Sequence, residues 1–444
     1  MALDVTYKLQ VPHRPGQLSK VAGVIAEHGG LIGDIVTIHL GRELTDREIT
    51  VEVRDPQHGW ELAEDLGKLD GVRLVWHHDR AFLRHEGGKL RMHAVTPVET
   101  PQQMRDVYTP GVARVCSAIA ENPALASRFT AIGRTVAICT NGTRVLGLGD
   151  IGPVASMPVM EGKAVFYTQF AGISAVPVLI DTKDVDEFVR TVKMIAPGFG
   201  GIHLEDISAP ECFEIERRLI EELGQPVMHD DVHGTAVVTV AAVLTVCRAL
   251  GRDLHEVTVG QLGLGAAGSG IAGLVGEAGA KEVLAFDPNP VSHQRAVEQG
   301  IEVTTMEDVF ARADIVVATT GRPGLITPAM VRPGQAILAL TNPVAEIDPD
   351  AARAAGAAYA ADGRSVNNVI GYPGIFRGAL LSGADRITTR MKLAAAHAIS
   401  ALAEGDDLVP DALDHNVHER VTAAVREAAI DEGVARLDHT PSGL

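Results

Sequence analysis

One short apolar run that breaks into glycines narrows the fold of this 444-residue chain more than any other stretch. Val257–Leu262 has the composition of a buried strand. It runs into Gly263-Leu264-Gly265-Ala266-Ala267-Gly268-Ser269-Gly270 and then into a small-residue helical segment through Ala280. A G-x-G-x-x-G turn between strand and helix is the dinucleotide-binding element of a doubly wound α/β sheet. Gly263 permits the tight turn, Gly265 lets a pyrophosphate approach the backbone, and Gly268 lets helix and strand pack closely. Ala266 and Ala267, which open the helix, complete that contact surface. The run alone is a weak signal, but a second apolar strand, Glu282–Phe286, follows and ends at Asp287. An acid about twenty residues beyond the glycines is placed to bind ribose hydroxyls and to repel a 2′-phosphate, so NAD is expected over NADP. The plainer role for Asp287 is a turn residue in Asp287-Pro288-Asn289-Pro290. Asp314–Gly321 and Ala336–Pro343 read as further strands of the same sheet, putting Thr320 and Asn342 where nicotinamide and substrate would lie.

The second signal is chemical. Pro226-Val227-Met228-His229-Asp230-Asp231-Val232-His233-Gly234 sets two adjacent acids between two histidines, and Glu205-Asp206 forms another pair upstream. Neighbouring acids embedded in apolar sequence resist burial unless a cation or proton compensates them. Mg2+ or Mn2+ suits such oxygen ligands and keeps positions open for an oxygen-rich substrate. Solvated loop acids are the bland alternative. A zinc-protease helix is a poorer one: Pro226 precedes and Gly234 follows the histidines, and Asp230 stands where a longer Glu is needed.

Composition excludes several classes. A net charge of −18 argues against nucleic acid and anionic membranes as partners. The four cysteines are scattered with no C-x-x-C, as expected of buried thiols in a reducing compartment. The N-terminus lacks a basic-plus-apolar signal. The longest apolar stretch, Ala236–Cys247, reads as too short and too threonine-dotted to span a bilayer. A cytoplasmic enzyme is expected.

Residues 1–85 read as a separate βαββαβ unit, with Arg14-Pro15-Gly16-Gln17 turning between the first strand and the first helix. With Arg14-Pro15-Gly16-Gln17-Leu18 and His28-Gly29-Gly30-Leu31-Ile32, this unit resembles an ACT domain. The resemblance implies either a small effector bound near Gly16 or a purely dimerising role.

From Leu90 on, the chain resembles bacterial malic enzymes. The resemblance rests on Tyr108-Thr109-Pro110-Gly111-Val112-Ala113, Asn141–Gly152, Pro158–Lys163, Leu204–Phe213, the His229-Asp230-Asp231 segment, Asn342-Pro343 and Asn367–Leu380, all in the family order. It implies oxidative decarboxylation of L-malate to pyruvate and CO2 with NAD and Mg2+ or Mn2+. It assigns Lys163 as the base for the malate hydroxyl, Asp230 as the acid beside it, and Tyr108 as proton donor to C3. It makes Glu205, Asp206 and Asp231 the metal ligands, and Arg144, Asn342 and Asn368 substrate contacts. A neutral Lys163 near pH 7 is expected if burial and a nearby cation disfavour its ammonium. Val232 departs from the glutamine often found there, and Tyr372 from the usual phenylalanine.

The expected organisation is α/β throughout: an ACT-like domain at 1–85, a metal and substrate domain at 86–238, and a Rossmann-type domain with a C-terminal helical region at 239–444. A homodimer or larger homo-oligomer is expected. The alternatives are NADP preference, mainly oxaloacetate decarboxylation, or a catalytically weak metabolite sensor.

Overall fold

The computed structural model describes residues 3–405 and 407–436, and its chain divides into two compact units, Met1–Arg91 and Met92–Leu444. In the first, strict alternation buries Val5, Tyr7, Leu9 and Val11 on one face of β1 (Leu3–Pro12). The elements α1 (Gln17–Glu27), β2 (Leu31–Leu40), β3 (Leu44–Val53), α2 (Pro56–Gly67), β4 (Arg73–Asp79) and α3 (Arg80–His85) follow. The antiparallel sheet has the order β2-β3-β1-β4. Val21 and Ile25 of α1 and Leu62 and Leu66 of α2 cover its inner face. Asp55 caps α2 by accepting from His58 N at 2.8 Å, with Pro56 opening the helix. The expected βαββαβ order is therefore present. Every residue of the edge strand β2 is exposed.

The second unit holds two parallel sheets. The first helices, α4 (Pro101–Val107), α5 (Gly111–Glu121) and α6 (Ala126–Phe129), bury no residue. Then β5 (Thr135–Thr140), α7 (Pro153–Phe166), β6 (Ser174–Leu179), α8 (Val185–Ile195), β7 (Gly201–Leu204), α9 (Glu211–Glu222) and β8 (Val227–His229) build a sheet of order β6-β5-β7-β8. After α10 (Thr235–Ala249) come β9 (Thr258–Leu262), α11 (Ala266–Glu277), β10 (Glu282–Phe286), α12 (Val291–Glu298), β11 (Glu302–Val303), α13 (Met306–Arg312), β12 (Ile315–Ala318), β13 (Ala336–Ala339), α14 (Pro349–Ala354) and β14 (Tyr359–Asp362). This second sheet runs β11-β10-β9-β12-β13-β14. Numbered from its own first strand, that is the 3-2-1-4-5-6 order of a dinucleotide-binding fold. Three helices close the chain: α15 (Tyr372–Ser382), α16 (Thr389–Ala401) and α17 (His415–Asp431).

The apolar run expected to be too short to span a bilayer belongs to a longer element. With the turn before it, Asp230–Ala249 spans 20 residues and passes on length and composition, but 72% of its apolar window is buried inside the unit. It is a core helix. Its valines share one cluster with Val136 and Ile138 of β5 and with Val259 and Val317 of β9 and β12, so α10 joins the two sheets through continuous packing. Residue 238 falls inside this helix, in its first turn.

Candidate active site

The carboxyl ends of β7 and β8 carry the acids, where ligands of open parallel sheets bind. Glu205 and Asp206 follow β7. Asp230 and Asp231 open a π-helical turn, Asp230–Gly234, between β8 and α10. Such wide turns are frequent at functional sites. Here the turn tucks the Asp230 carboxylate against Gly234, where an added Cβ would lie only 1.8 Å from Oδ1. Asp206 adopts the left-handed backbone region (φ 55). It is gripped on both sides: its N–H donates to Asp231 Oδ2 at 2.9 Å, and its carbonyl accepts from Arg144 N at 3.1 Å.

Lys163 reaches this cluster from α7. Its ammonium bonds Asp230 Oδ2 and lies 3.2 Å from Glu205 Oε1. Asn368 Nδ2 donates to the same Asp230 oxygen at 2.7 Å. The Lys163 ammonium also lies 4.7 Å from the centre of the Tyr372 ring. Behind Glu205 stands a buried chain in which His203 Nε2 lies 2.6 Å from Glu205 Oε2 and His203 Nδ1 lies 2.8 Å from the Tyr167 hydroxyl. Burial lowers the His203 imidazole to about 4, so it is neutral at pH 7.

Four carboxylates thus face one ammonium. Burial pushes Glu205 up to about 8 despite the opposing pull of Lys163, with repulsion from Asp231 adding to it. Burial, then repulsion from Glu205 and Asp231, pushes Asp206 up to about 9. Burial would lower Lys163, but Asp230 and Glu205 outweigh it and hold the ammonium well above its usual range. Surrounded by acids alone, Lys163 is therefore a charged group rather than a ready base. One donor oxygen from each of Glu205, Asp206 and Asp231 lies within 4.8 Å of the others, and Asp206 Oδ2 is buried without a partner. This donor set fits a hard divalent cation, whose charge would ionise the acids and relieve their hold on the Lys163 proton.

The glycine turn is built differently. Gly263 has φ 89 and a Cβ there would meet Thr319 O at 2.8 Å. A Cβ on Gly268 would lie 1.9 Å from Gly263 O, whereas Gly265, preceding α11, faces open space. Ala266 and Ala267 form the first turn of α11. Asp287 follows β10 with both oxygens engaged by backbone, Leu264 N at 2.7 Å and Asn289 N at 2.8 Å. Thr320 lies beyond β12, and its N–H and hydroxyl both donate to Glu346, at 2.7 and 2.8 Å. Asn342 lies beyond β13 and donates to Gly363 O at 3.3 Å.

Two expected residues lie apart. Arg144 is exposed and approaches the cluster through its backbone. Tyr108 is 71% exposed at the end of α4, and among the described residues no hydrogen bond joins it to the acids or to Lys163. Conversely, His203, Tyr167 and Glu346 were not anticipated. Strand alternation carried a signal for one of them, since His203 stands two residues before Glu205 at the end of β7 and so projects to the same side.

A family model for the malic enzyme N-terminal domain matches residues 87–220, and one for the NAD-binding domain of D-isomer specific 2-hydroxyacid dehydrogenases matches residues 241–322. The chain is 51% identical to NAD-dependent malic enzyme 1 of Bacillus subtilis, covering 96% of this chain and 97% of that one. It is 42% identical to the NAD-dependent malic enzyme of Geobacillus stearothermophilus, covering 100% and 98%. The crystal structure of malic enzyme from Pyrococcus horikoshii Ot3 superposes with a TM-score of 0.75 at 37% identity, over 79% of this chain and 88% of that one.

Proposed function

That the chain belongs to the bacterial malic enzyme family is the premise from which we propose its reaction, the NAD-dependent oxidative decarboxylation of L-malate to pyruvate and CO2. The single observation that carries the chemistry is Lys163 held among Asp230, Glu205 and Asn368, beside the ligand-ready oxygens that Asp206 and Asp231 add to that of Glu205.

Bound NAD supplies the hydride acceptor and a divalent cation supplies Lewis acidity for the loss of CO2. Glu205, Asp206 and Asp231 would hold the cation. Lys163 Nζ takes the proton of the C2 hydroxyl, and Asp230, held by Asn368, orients Nζ and balances its charge. The neutral amides of Asn368 and Asn342 orient malate without adding negative charge. The proton returned to C3 comes from an acid in contact with the site, and within this chain the Lys163 ammonium meets that condition. Tyr108, the acid expected from sequence, needs its exposed segment to be brought to a cleft before it can act. A Tyr108→Phe variant that keeps its turnover assigns the step to Lys163, and one that loses it by orders of magnitude assigns it to the phenol. Arg144 has its main chain beside Asp206, which supports a role at a malate carboxylate. Asp287 presents a carboxylate beside the glycine turn, which favours NAD over a 2′-phosphorylated cofactor.

The first unit supports a regulatory reading of the ACT kind. Between β1 and α1, around Arg14, Gln17 and Arg47, lies a cavity of about 310 Å3, of a size and charge for a small anionic effector. The exposed β2 edge, with Leu31, Val36, Ile38 and Leu40, supports a homodimer. The test of the whole reading is a mixture of purified protein, malate, Mn2+ and NAD+ or NADP+. NADH and pyruvate appearing in step, only with metal, is the expected result. Oxaloacetate without pyruvate would remove the decarboxylation, and turnover with NADP+ alone would reverse the cofactor assignment.

A further inference from the structure

The turn that presents Asp230 and Asp231 is anchored from behind by side chains outside the machinery described above. Glu216 lies in the middle of α9 and is only 4% exposed. Its Oε1 accepts the backbone N–H of His229 at 2.7 Å, and its Oε2 lies 3.0 Å from His233 Nε2. One carboxylate therefore grips both ends of a five-residue stretch, His229 to His233, with the two acids between its grips.

A third member comes from the C-terminal layer. Lys392, near the start of α16, sets its Nζ 3.1 Å from His233 Nδ1. An ammonium donates and cannot accept, so Nδ1 is the accepting nitrogen and Nε2 carries the hydrogen that points at Glu216. Lys392 thereby selects the ring tautomer that makes the second Glu216 bond productive. A half-buried lysine and a buried glutamate on separate helices are costly to desolvate, and leaving either alone is costlier than keeping both. The fourth side of the turn is closed by α11 of the dinucleotide sheet, where a Cβ on Gly270 would lie 2.2 Å from Val232 O.

We propose that Glu216, His233 and Lys392 form a positioning relay that sets the metal-binding turn, so that the C-terminal helix α16 helps to fix where Asp231 meets the cation and where Asp230 meets Lys163. The proposal rests on the metal reading of Glu205, Asp206 and Asp231 above. None of the three relay residues touches the reacting atoms.

The probe is Mn2+ alone, titrated into the full-length protein and followed by the electron paramagnetic resonance of the free ion, with NADH binding measured by fluorescence on the same samples. Glu216→Gln keeps length and shape but puts an amide donor against the His233 N–H. The expected result is a Mn2+ affinity weaker by about 10-fold or more, as for loss of supporting bonds around metal ligands, with NADH affinity unchanged within about 2-fold. Lys392→Met, which breaks only the outermost link, should weaken Mn2+ by a smaller factor. The double variant should bind no more weakly than Glu216→Gln alone, because Lys392 acts through Glu216. A merely structural role predicts lower thermal stability with unchanged Mn2+ affinity of the folded protein, and that outcome overturns the proposal. If Glu216→Gln does not fold, Lys392→Met decides by the same measurement. Asp231→Asn separates the two levels. A parent protein that binds no Mn2+, or binds it equally well as Asp231→Asn, overturns the metal reading together with this one. A parent that loses Mn2+ only in Asp231→Asn, and not in the relay variants, overturns the relay alone.

Discussion

Asp206 and Asp287 both stand just beyond the end of a parallel strand, and both are proposed to serve a ligand, yet their surroundings are opposite. Asp287 has each carboxylate oxygen bonded to a backbone N–H and is only part-buried. Asp206 is 3% exposed with Oδ2 unpartnered, beside two other acids, and its backbone sits in the left-handed region. The six-stranded sheet thus prepares its site with backbone geometry and satisfied groups. The parallel four-stranded sheet prepares its site with unbalanced charge. A dinucleotide is recognised by shape and by dipoles that cost nothing to keep in place, whereas a divalent cation needs excess anionic oxygen waiting for it. The left-handed backbone of Asp206, a non-glycine residue, adds local strain on the acidic side of this contrast.

The comparison breaks most visibly at Lys163. Lys163→Ala should lower kcat by about 10²–10⁴-fold, the range for loss of a general base, while NADH still binds normally. Steady-state turnover and a fluorescence titration check this, and normal turnover in a folded, NADH-binding variant would remove Lys163 from the role of base. At the other sheet the vulnerable element is backbone space. Gly268→Ala places a methyl group 1.9 Å from Gly263 O, so strand and helix must separate. The expected cost is about 1–3 kcal/mol of stability, with weaker NADH binding and unchanged Mn2+ binding, read from thermal melts and the two titrations. Unchanged NADH affinity would show that the glycine turn is not the cofactor cradle.

A charge-based contrast follows from the carboxyl groups themselves. Glu205 and Asp206, pushed up to about 8 and about 9, hold protons in the folded metal-free protein that the unfolded chain releases near pH 4. Between those limits the folded state binds more protons, so stability of the chelated protein should fall as pH rises from 5.5 towards about 8.5. With Mn2+ bound the ligands are already ionised, and this part of the slope should vanish. Melting temperatures in EDTA and in Mn2+ across that range test the sign, and parallel curves would contradict it. The smallest effect is expected at Asp287. Asp287→Ser should shift the NAD to NADP preference by about 10-fold, equivalent to about 1.4 kcal/mol, through kcat/KM for each cofactor. An unchanged ratio would leave Asp287 as a brace for Leu264 and Asn289.

Local signals made a large part of this legible. The strand, glycine turn, helix and acid from Val257 to Asp287 are contiguous, so their geometry is dictated by short-range sterics that sequence carries directly. The paired acids were equally readable, because apolar flanks around adjacent carboxylates imply compensation by a cation. Less legible were groups whose partners are distant in the chain. Asn368 meets Asp230 across 138 positions, and Lys392 meets His233 across 159. Nothing in the neighbourhood of either residue announces those bonds. Tyr108 shows the reverse case, a residue assigned by its motif that the fold of this chain leaves exposed just after α4.

The sequence by itself determined the two chemistries, a dinucleotide turn and an oxygen-rich cation site, and the order of elements that carry them. Those depend on residue type and on spacings of a few positions. Only the tertiary structure decided the protonation balance of Lys163, the partners of Asp230 and the anchoring of the Asp230–Gly234 turn. These quantities depend on burial and on charges brought together from α7, α9, β7, β8 and α16, and electrostatic energy depends on distance in space rather than along the chain.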